Sequence, residues 1–297
     1  MSIQTDVREF LVSRRAKVTP EQAGLPAYGG KRRVPGLRRE EVALLAGVSV
    51  DYYNRLERGN LHGVSDSVLD AVARALQLDE AEHEHLFDLA RAANDTRARP
   101  VRTPKPKVRP SVQRLLDAIT DGPAQVRNGR MDVLAANAIG VALFSEAYED
   151  PRRPMNSTRY LFLDPRARYF YDNWEKAASD SVAILRTELG RAPHDKDLMN
   201  LVGELSTRSD EFRVRWARHD VRLHYTGVKV FHHPVVGDLE VGYEALGLSA
   251  DPGLTLTVYT AVKPSDSEKF RLLASWHATQ QELTENSLFQ PQTREVP

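Results

Sequence analysis

The chain has 297 residues, with 41 Lys+Arg balanced by 41 Asp+Glu and no cysteine. That length suits two domains, each long enough to bury a core. The lack of cysteine excludes disulfides, thiolate metal sites and a thiol nucleophile, and it suits a reducing cytoplasm. The opening MSIQTDVREFLVSRR lacks the apolar core of a signal peptide, and no run of about 18 apolar residues suggests a membrane span. The zero net charge hides an asymmetry. Residues 1–110 carry 19 basic against 15 acidic residues, and residues 111–297 carry 22 against 26. The basic excess falls in the first part, but it is too small to argue for a polyanionic partner alone.

In chain order, Asp6–Ala16 reads as a helix with Val7, Phe10 and Leu11 inward. A Gly/Pro-rich loop, Lys17–Gly36, follows and carries the basic run Lys31-Arg32-Arg33. Next comes LRREEVALLAGVSVDYYNRLERG, Leu37–Gly59, the most informative stretch. Val42, Leu45 and Ala46 stand at i, i+3, i+4 and make one apolar helical face. Gly47 suits a helix exit through the left-handed region. Ser49 suits an N-cap, and Asp51 complements the dipole of the next helix. Tyr53 and Leu56 give that second helix an inward face, leaving Val50, Asp51, Asn54, Arg55 and Arg58 outside. Periodicity alone leaves an ordinary helical hairpin with charged faces as the alternative. Ser65-Asp66-Ser67 then offers caps for a helix through Leu76, and Asp79 begins another, with Leu86, Phe87 and Ala90 inward. His83 and His85 alternate on that helix and face different directions.

The small residue Ala43, Gly47, the Ser49 cap and the apolar positions together resemble the helix-turn-helix of XRE/Cro-type regulators, over roughly residues 5–93. The resemblance implies a partner, double-stranded DNA, with the second helix of the motif in the major groove. On that pattern Ser49, Val50, Asp51, Tyr52, Asn54, Arg55 and Arg58 face the DNA. Arg55 suits a bidentate bond to guanine, Asp51 suits a cytosine amino group, and Val50 suits a thymine methyl. Typical relatives carry glutamines there and this chain does not, so the operator cannot be transferred. Arg39 sits at a helix start, where backbone N–H groups favour phosphate. Arg38 stands where Ser or Thr often caps, which a DNA phosphate would complete. Lys31, Arg32 and Arg33 suit phosphate or the minor groove, or simply solvent. A homodimer on a palindromic operator is the usual arrangement.

Thr96–Pro110 is rich in proline and basic residues and reads as a spacer, whether it trails along phosphate or is merely solvated. Beyond it, Val112–Ile119 reads as helix. Ala124–Val126 and Met131–Ala135 flank Asn128-Gly129, a two-residue hairpin signal. Ala138–Tyr148 and the long pattern Arg166–Leu189 read as helices, followed by Asp195–Leu205 and Asp210–Arg218. Leu223–His232, Leu239–Leu246 and Leu254–Val262 read as strands, and Ser265–His277 closes as a helix capped by Ser265 or Asp266. This order fits an α+β domain with an antiparallel sheet of about five strands and helices over one face.

The phrases DVLAAN (132–137), NSTRYLFLDPRAR (156–168), NWEKAASDSVAILRTELGR (173–191), WARHDV (216–221) and HHPVVGDLEVGYEAL (232–246) resemble the ligand-binding domain of MmyB-like transcription regulators, over about residues 110–276. The resemblance implies a PAS-like fold and, in some members, a fatty-acid-type ligand. Within the matching phrases Asn156, Arg159, Arg186, His219 and Tyr243 are candidate ligand contacts. Each also has a structural reading: Arg159 and Arg186 can pair with acids of the domain, and His219 can cap a helix end. The apolar positions of the last strands could wall a pocket or fill an ordinary core.

No P-loop, G-x-G-x-x-G, G-x-S-x-G or H-E-x-x-H pattern occurs, and no nucleophile–base pair suggests itself. No enzyme activity, metal or cofactor is expected, apart from a bound fatty acid or similar apolar ligand. The expected division is a helix-turn-helix DNA-binding bundle over 1–95, a basic linker over 96–110, a ligand-binding domain over 111–280 and a polar tail over 281–297. The chain reads as a ligand-responsive regulator. The alternatives are a second domain that only dimerises or binds protein, and an enzyme fused to a DNA-binding domain.

Overall fold

The computed structural model describes residues 3–26, 34, 36–94, 107–221 and 225–288. Lys31, Arg32, Arg33, most of the basic linker, the start of the expected strand at Leu223 and residues 289–297 of the expected polar tail lie outside the described residues. In chain order the elements are α1 (Ile3–Lys17), α2 (Arg39–Ala46), α3 (Val50–Glu57), α4 (Asp66–Ala75), α5 (Glu80–Asn94) and α6 (Pro110–Ala118). Then come β1 (Ala124–Asn128), β2 (Asp132–Ala136), α7 (Ala138–Leu143), α8 (Ser145–Tyr148), β3 (Met155–Asn156), α9 (Ser157–Leu163), α10 (Ala167–Phe170) and α11 (Trp174–Arg191). The rest are α12 (Lys196–Arg208), α13 (Asp210–Trp216), β4 (Thr226–His233), β5 (Gly237–Gly247), β6 (Leu254–Ala261) and α14 (Pro264–Leu288).

Packing divides the chain differently from chain order. One compact unit gathers Met1–Arg102 with Ser179–Leu223, and the other gathers Thr103–Ala178 with His224–Pro297. The stretch 111–280, continuous in sequence, therefore lends most of α11 and all of α12 and α13 to the helical unit.

In the helical unit, Val7, Phe10, Leu11, Val42, Tyr53, Leu56, Leu69, Val72 and Leu86 close a buried core, and Val221 belongs to the same cluster. The turn between α2 and α3 follows the expected chemistry. Gly47 is left-handed (φ 66°), its N–H bonds the Leu44 carbonyl, and the Val48 N–H reaches back to Ala43. That pair of bonds satisfies the last carbonyls of α2. Ser49 Oγ accepts the Tyr52 N–H at 3.1 Å and starts α3. Ser65 does occupy the N-cap position of α4, but its hydroxyl meets Ser67 Oγ rather than a backbone N–H.

The second unit carries a six-stranded antiparallel sheet in the order β3-β2-β1-β6-β5-β4. The added strand, β3, is two residues long, too short for alternation to reveal. Helices cover both faces. Ala124, Val126, Leu254 and Leu256 pack with Val112 and Leu116 of α6 on one face. Val133, Leu239, Val241, Tyr243 and Tyr259 pack with Phe144, Phe170, Phe270 and Leu273 on the other. Pro110 starts α6 instead of ending a linker, because the first helical position needs no N–H.

The helix expected over Ala138–Tyr148 is divided at Phe144 into α7 and α8, and two more expected elements change form. The Asn128-Gly129 pair is not the centre of a two-residue turn. Asn128 O accepts the Met131 N–H, and Asn128 Oδ1 accepts the N–H groups of Arg130 and Asp132. The left-handed residue is Met131 (φ 65°), as in a longer hairpin closed by a bulge. The long helix expected over Arg166–Leu189 breaks between α10 and α11, where Tyr171 bridges Phe231 and the Asp172 N–H bonds Val230 O. Pairing with β4 there replaces a turn of helix.

Candidate nucleic-acid interface and ligand domain

The orientation of α3 is fixed from behind by one carboxylate. Glu57 is 2% exposed and accepts from Arg15 Nε (2.7 Å) on α1 and from Arg39 Nε (2.8 Å) at the start of α2. Arg15 also donates to Leu37 O at 2.8 Å, which ties in the entry to α2. Burial alone would raise the Glu57 pKa, but the bonds from Arg15 and Arg39 outweigh it and hold the carboxyl below its ordinary value. Helices α1 and α2 are thereby locked to the inner end of α3. The sequence showed Tyr53 and Leu56 turned inward but gave no sign of Glu57, because charged residues are rarely buried unless paired.

The opposite side of α3 is open. Ser49, Val50, Asp51, Arg55 and Arg58 are exposed, and Tyr52 and Asn54 are half-buried. The Arg55 guanidinium stacks over the Tyr52 ring at 4.8 Å, which holds it along the helix instead of leaving it loose. At the start of α2 the Arg38 N–H donates to Glu41 Oε2 at 2.7 Å. Its side chain lies 3.4 Å from Glu40 and is 46% exposed. Arg39 is engaged by Glu57, yet its side chain remains 55% exposed. A groove of about 520 Å³ opens between the starts of α2 and α3, with Arg38, Leu44, Val48, Ser49 and Val50 in its lining.

A second polar cluster joins α1 and α5 to the helices contributed by residues 179–221. Arg14, 2% exposed, pairs with Glu82, donates to the His219 carbonyl and lies 3.4 Å from Asp220. Arg186 Nη1 donates to His219 Nδ1 at 2.8 Å, its other amino group bonds the Trp216 carbonyl, and its guanidinium stacks 4.1 Å over the Trp216 ring. An arginine cannot accept, so His219 Nδ1 carries no proton. The proton sits on Nε2, which faces Glu9 Oε2 at 3.0 Å. Burial first, then Arg186 and Arg14, pushes the His219 pKa down to about 4. His85 is pressed by α11, where a side chain at Gly190 would stand 2.7 Å from its ring. Val221 and this cluster make residues 179–221 part of the helical unit's interior.

The candidate ligand residues fall in both compact units. Arg186 and His219 lie together in that helical cluster. Asn156 is spent on structure: its Oδ1 accepts the Arg159 N–H as the cap of α9, and its Nδ2 donates to Arg130 O and Asp132 Oδ1. Arg159 is half-buried in the first turn of α9. Tyr243 is 6% exposed on the inner face of the sheet, with Lys229 Nζ 4.5 Å from its ring centre. Among the described residues, no group of three or more acidic or histidine side chains could hold a metal ion. No helix there is long and apolar enough to cross a membrane.

A capped, tightly turned helix pair with a locked second helix defines a helix-turn-helix DNA-binding protein, here continued into an α+β domain. A family profile for a helix-turn-helix domain matches residues 12–86, and one for the MmyB-like transcription regulator ligand binding domain matches residues 108–273. The chain belongs to this family of MmyB-like regulators, which pairs DNA binding with ligand binding. No curated protein matches it.

Proposed function

We propose that the protein is a sequence-specific transcription regulator whose affinity for its operator is set by a small apolar ligand in the α+β domain. It acts as a homodimer on a palindromic site, with α3 in the major groove. Val50, Asp51 and Arg55 read bases, and Arg38, Arg39, Asn54 and Arg58 meet the backbone. The observation that carries the DNA half is the contrast between the two sides of α3, one side clamped through Glu57 and the other exposed and polar. Arg55, already stacked on Tyr52, loses less freedom when it meets a base.

Support for the ligand half comes from where the family's ligand-binding stretch packs. Residues 108–273 match that domain, yet residues 179–221 within it pack into the helical unit's core and polar cluster. Anything that shifts α11 therefore bears on the scaffold holding α3. A ligand changes operator affinity only by the difference between its affinities for the two states. The antiparallel sheet with helices over its inner face supports a PAS-like reading, and that apolar face suits a fatty-acid-type guest. The protein is proposed to work in the cytoplasm, without catalysis.

Genomic footprinting with the purified protein tests the DNA half, with clustered palindromic sites as the expected result. Native mass spectrometry of the gently purified chain tests the ligand half. A retained acyl-chain mass is expected. A bare mass, with no thermal shift across a fatty-acid series, would instead favour a second domain that only dimerises or binds protein.

A further inference from the structure

Helix α1 is tied to residues 179–221 towards its far end but not through its first turn. Towards the far end, Arg14 donates to the His219 carbonyl. In the first turn stands Asp6, whose Oδ1 is buried without a hydrogen-bond partner. Arg186 of α11 is 3% exposed, and its Nε is likewise buried without a partner. Asp6 is the acid whose charge acts most strongly on Arg186, and Arg186 is the cation that acts most strongly on Asp6. Among the described residues the two nevertheless make no ion pair. The other acids that Arg186 feels are engaged: Glu9 faces His219 Nε2 at 3.0 Å, and Asp220 holds Lys17 at 2.7 Å. Unpaired buried polar atoms are rare in native cores, and here a donor and an acceptor of opposite charge are left unpaired within each other's field.

Arg186 spends Nη1 on His219 Nδ1 and Nη2 on the Trp216 carbonyl. Its Nε and Nη2 form one forked edge, which matches the two oxygens of a carboxylate. Asp6 on that edge would satisfy both unpaired atoms and displace the Trp216 carbonyl. The same groups therefore have two arrangements. In the open one, described above, Arg186 holds the end of α13; in the closed one it holds the start of α1. Packed helices switch between discrete arrangements through small shifts instead of deforming continuously. Helix α1 also carries Arg15, which grips Glu57 and through it α3. Closing thus changes the support behind the DNA-facing helix.

We propose that Asp6 and Arg186 are the two halves of a latch between α1 and α11, and that its open and closed positions bind the operator with different affinity. Both are positioning residues, acting on DNA only through α1 and Glu57. The latch rests on the reading that a ligand governs operator binding, and it names the contact that changes. By linkage, operator DNA shifts the latch by the same factor as the latch shifts operator affinity.

The test uses the full chain and a footprinted operator duplex. The chain has no cysteine, so the Asp6→Cys/Arg186→Cys variant forms one disulfide and holds the closed position. Its oxidised and reduced forms are expected to differ at least about fivefold in operator affinity by fluorescence anisotropy, and reduction restores the starting value. That reversal separates a latch from misfolding. A second variant, Asp6→Ala, removes an atom that has no partner in the open position, so it is expected to melt close to the wild type. Hydrogen exchange along α11 is then followed with and without the duplex. Binding is expected to shift wild-type rates at least about threefold and to leave those of Asp6→Ala unchanged. A disulfide that forms without changing affinity, a pair that never oxidises in the folded chain, or equal exchange shifts in wild type and Asp6→Ala would each overturn the latch. A buried water bridging the two groups in one fixed arrangement gives those results. They leave DNA binding and ligand sensing standing, because footprinting and native mass spectrometry decide these separately. A chain that binds no duplex takes the DNA reading and the latch down together.

Discussion

Replacing Glu57 with glutamine keeps its shape and removes the charge on which α1 and α2 converge. In the fold this carboxylate accepts from Arg15 at 2.7 and 3.2 Å and from Arg39 at 2.8 Å. Removing one partner of a buried ion pair costs about 3–5 kcal/mol, because the other charge stays buried. Only one of the two arginines is trapped here. The Arg15 side chain is 13% exposed, whereas that of Arg39 is 55% exposed and can turn to water. The amide oxygen also keeps one acceptor. The expected loss is therefore about 2–3 kcal/mol. For a unit of this size that is a fall of about 4–12 °C in Tm. Thermal and urea unfolding of the full chain, followed by circular dichroism at pH 7, measures it. Because the Glu57 pKa is held below its ordinary 4.5, its contribution is complete above that value. It is lost as pH falls through the lower, folded value, so the gap between wild type and variant closes in acid. A loss under about 0.5 kcal/mol at pH 7, the range of ordinary surface substitutions, would refute the claim that this carboxylate locks α3.

Three further outcomes follow from named contacts. His219 and His85 are neutral in the fold, with pKa values pushed down to about 4 and about 3, chiefly by burial and then by Arg186, while the unfolded chain protonates near 6.5. The unfolded state thus takes up protons first, and stability falls as pH drops from about 6.5 towards 4, by on the order of 2 kcal/mol per histidine at pH 5. His219→Gln should flatten that slope in urea titrations at pH 7 and pH 5; an unaltered slope counts against a neutral His219 in the fold. Gly190→Ala drives a methyl group into the His85 ring and should cost about 1–3 kcal/mol and weaken DNA binding, whereas unchanged melting would show that α11 does not press there. Arg55→Ala should cost about 1–3 kcal/mol at one base pair and much less on random DNA, as read by competition binding with single-base operator variants. Equal losses on both DNAs would remove Arg55 from base reading.

Much of the helix-turn-helix was legible because local rules decide it. Gly47, Ser49, Val42, Ala46 and Leu56 each answer to a neighbour within a few residues. The sheet was legible through the alternation of β5 and β6, but β3 was not, since two residues carry no period. What chain order hides is long-range pairing. Nothing near Glu57 announces Arg15, and nothing near Arg186 announces that α11 leaves the sheet unit and enters the helical one. The candidate ligand residues came from matching phrases, which mark shared architecture as readily as ligand contact. Asn156 illustrates this, with its side chain committed to capping α9 and to Asp132.

On the proposed function, one chain couples a ligand to an operator. The most direct test is the operator affinity of the full chain by fluorescence anisotropy, on a footprinted site at fixed salt, with and without the co-purifying molecule and with occupancy checked by native mass. The expected change is at least about fivefold between the two states. Identical affinities at full and at zero occupancy would contradict it.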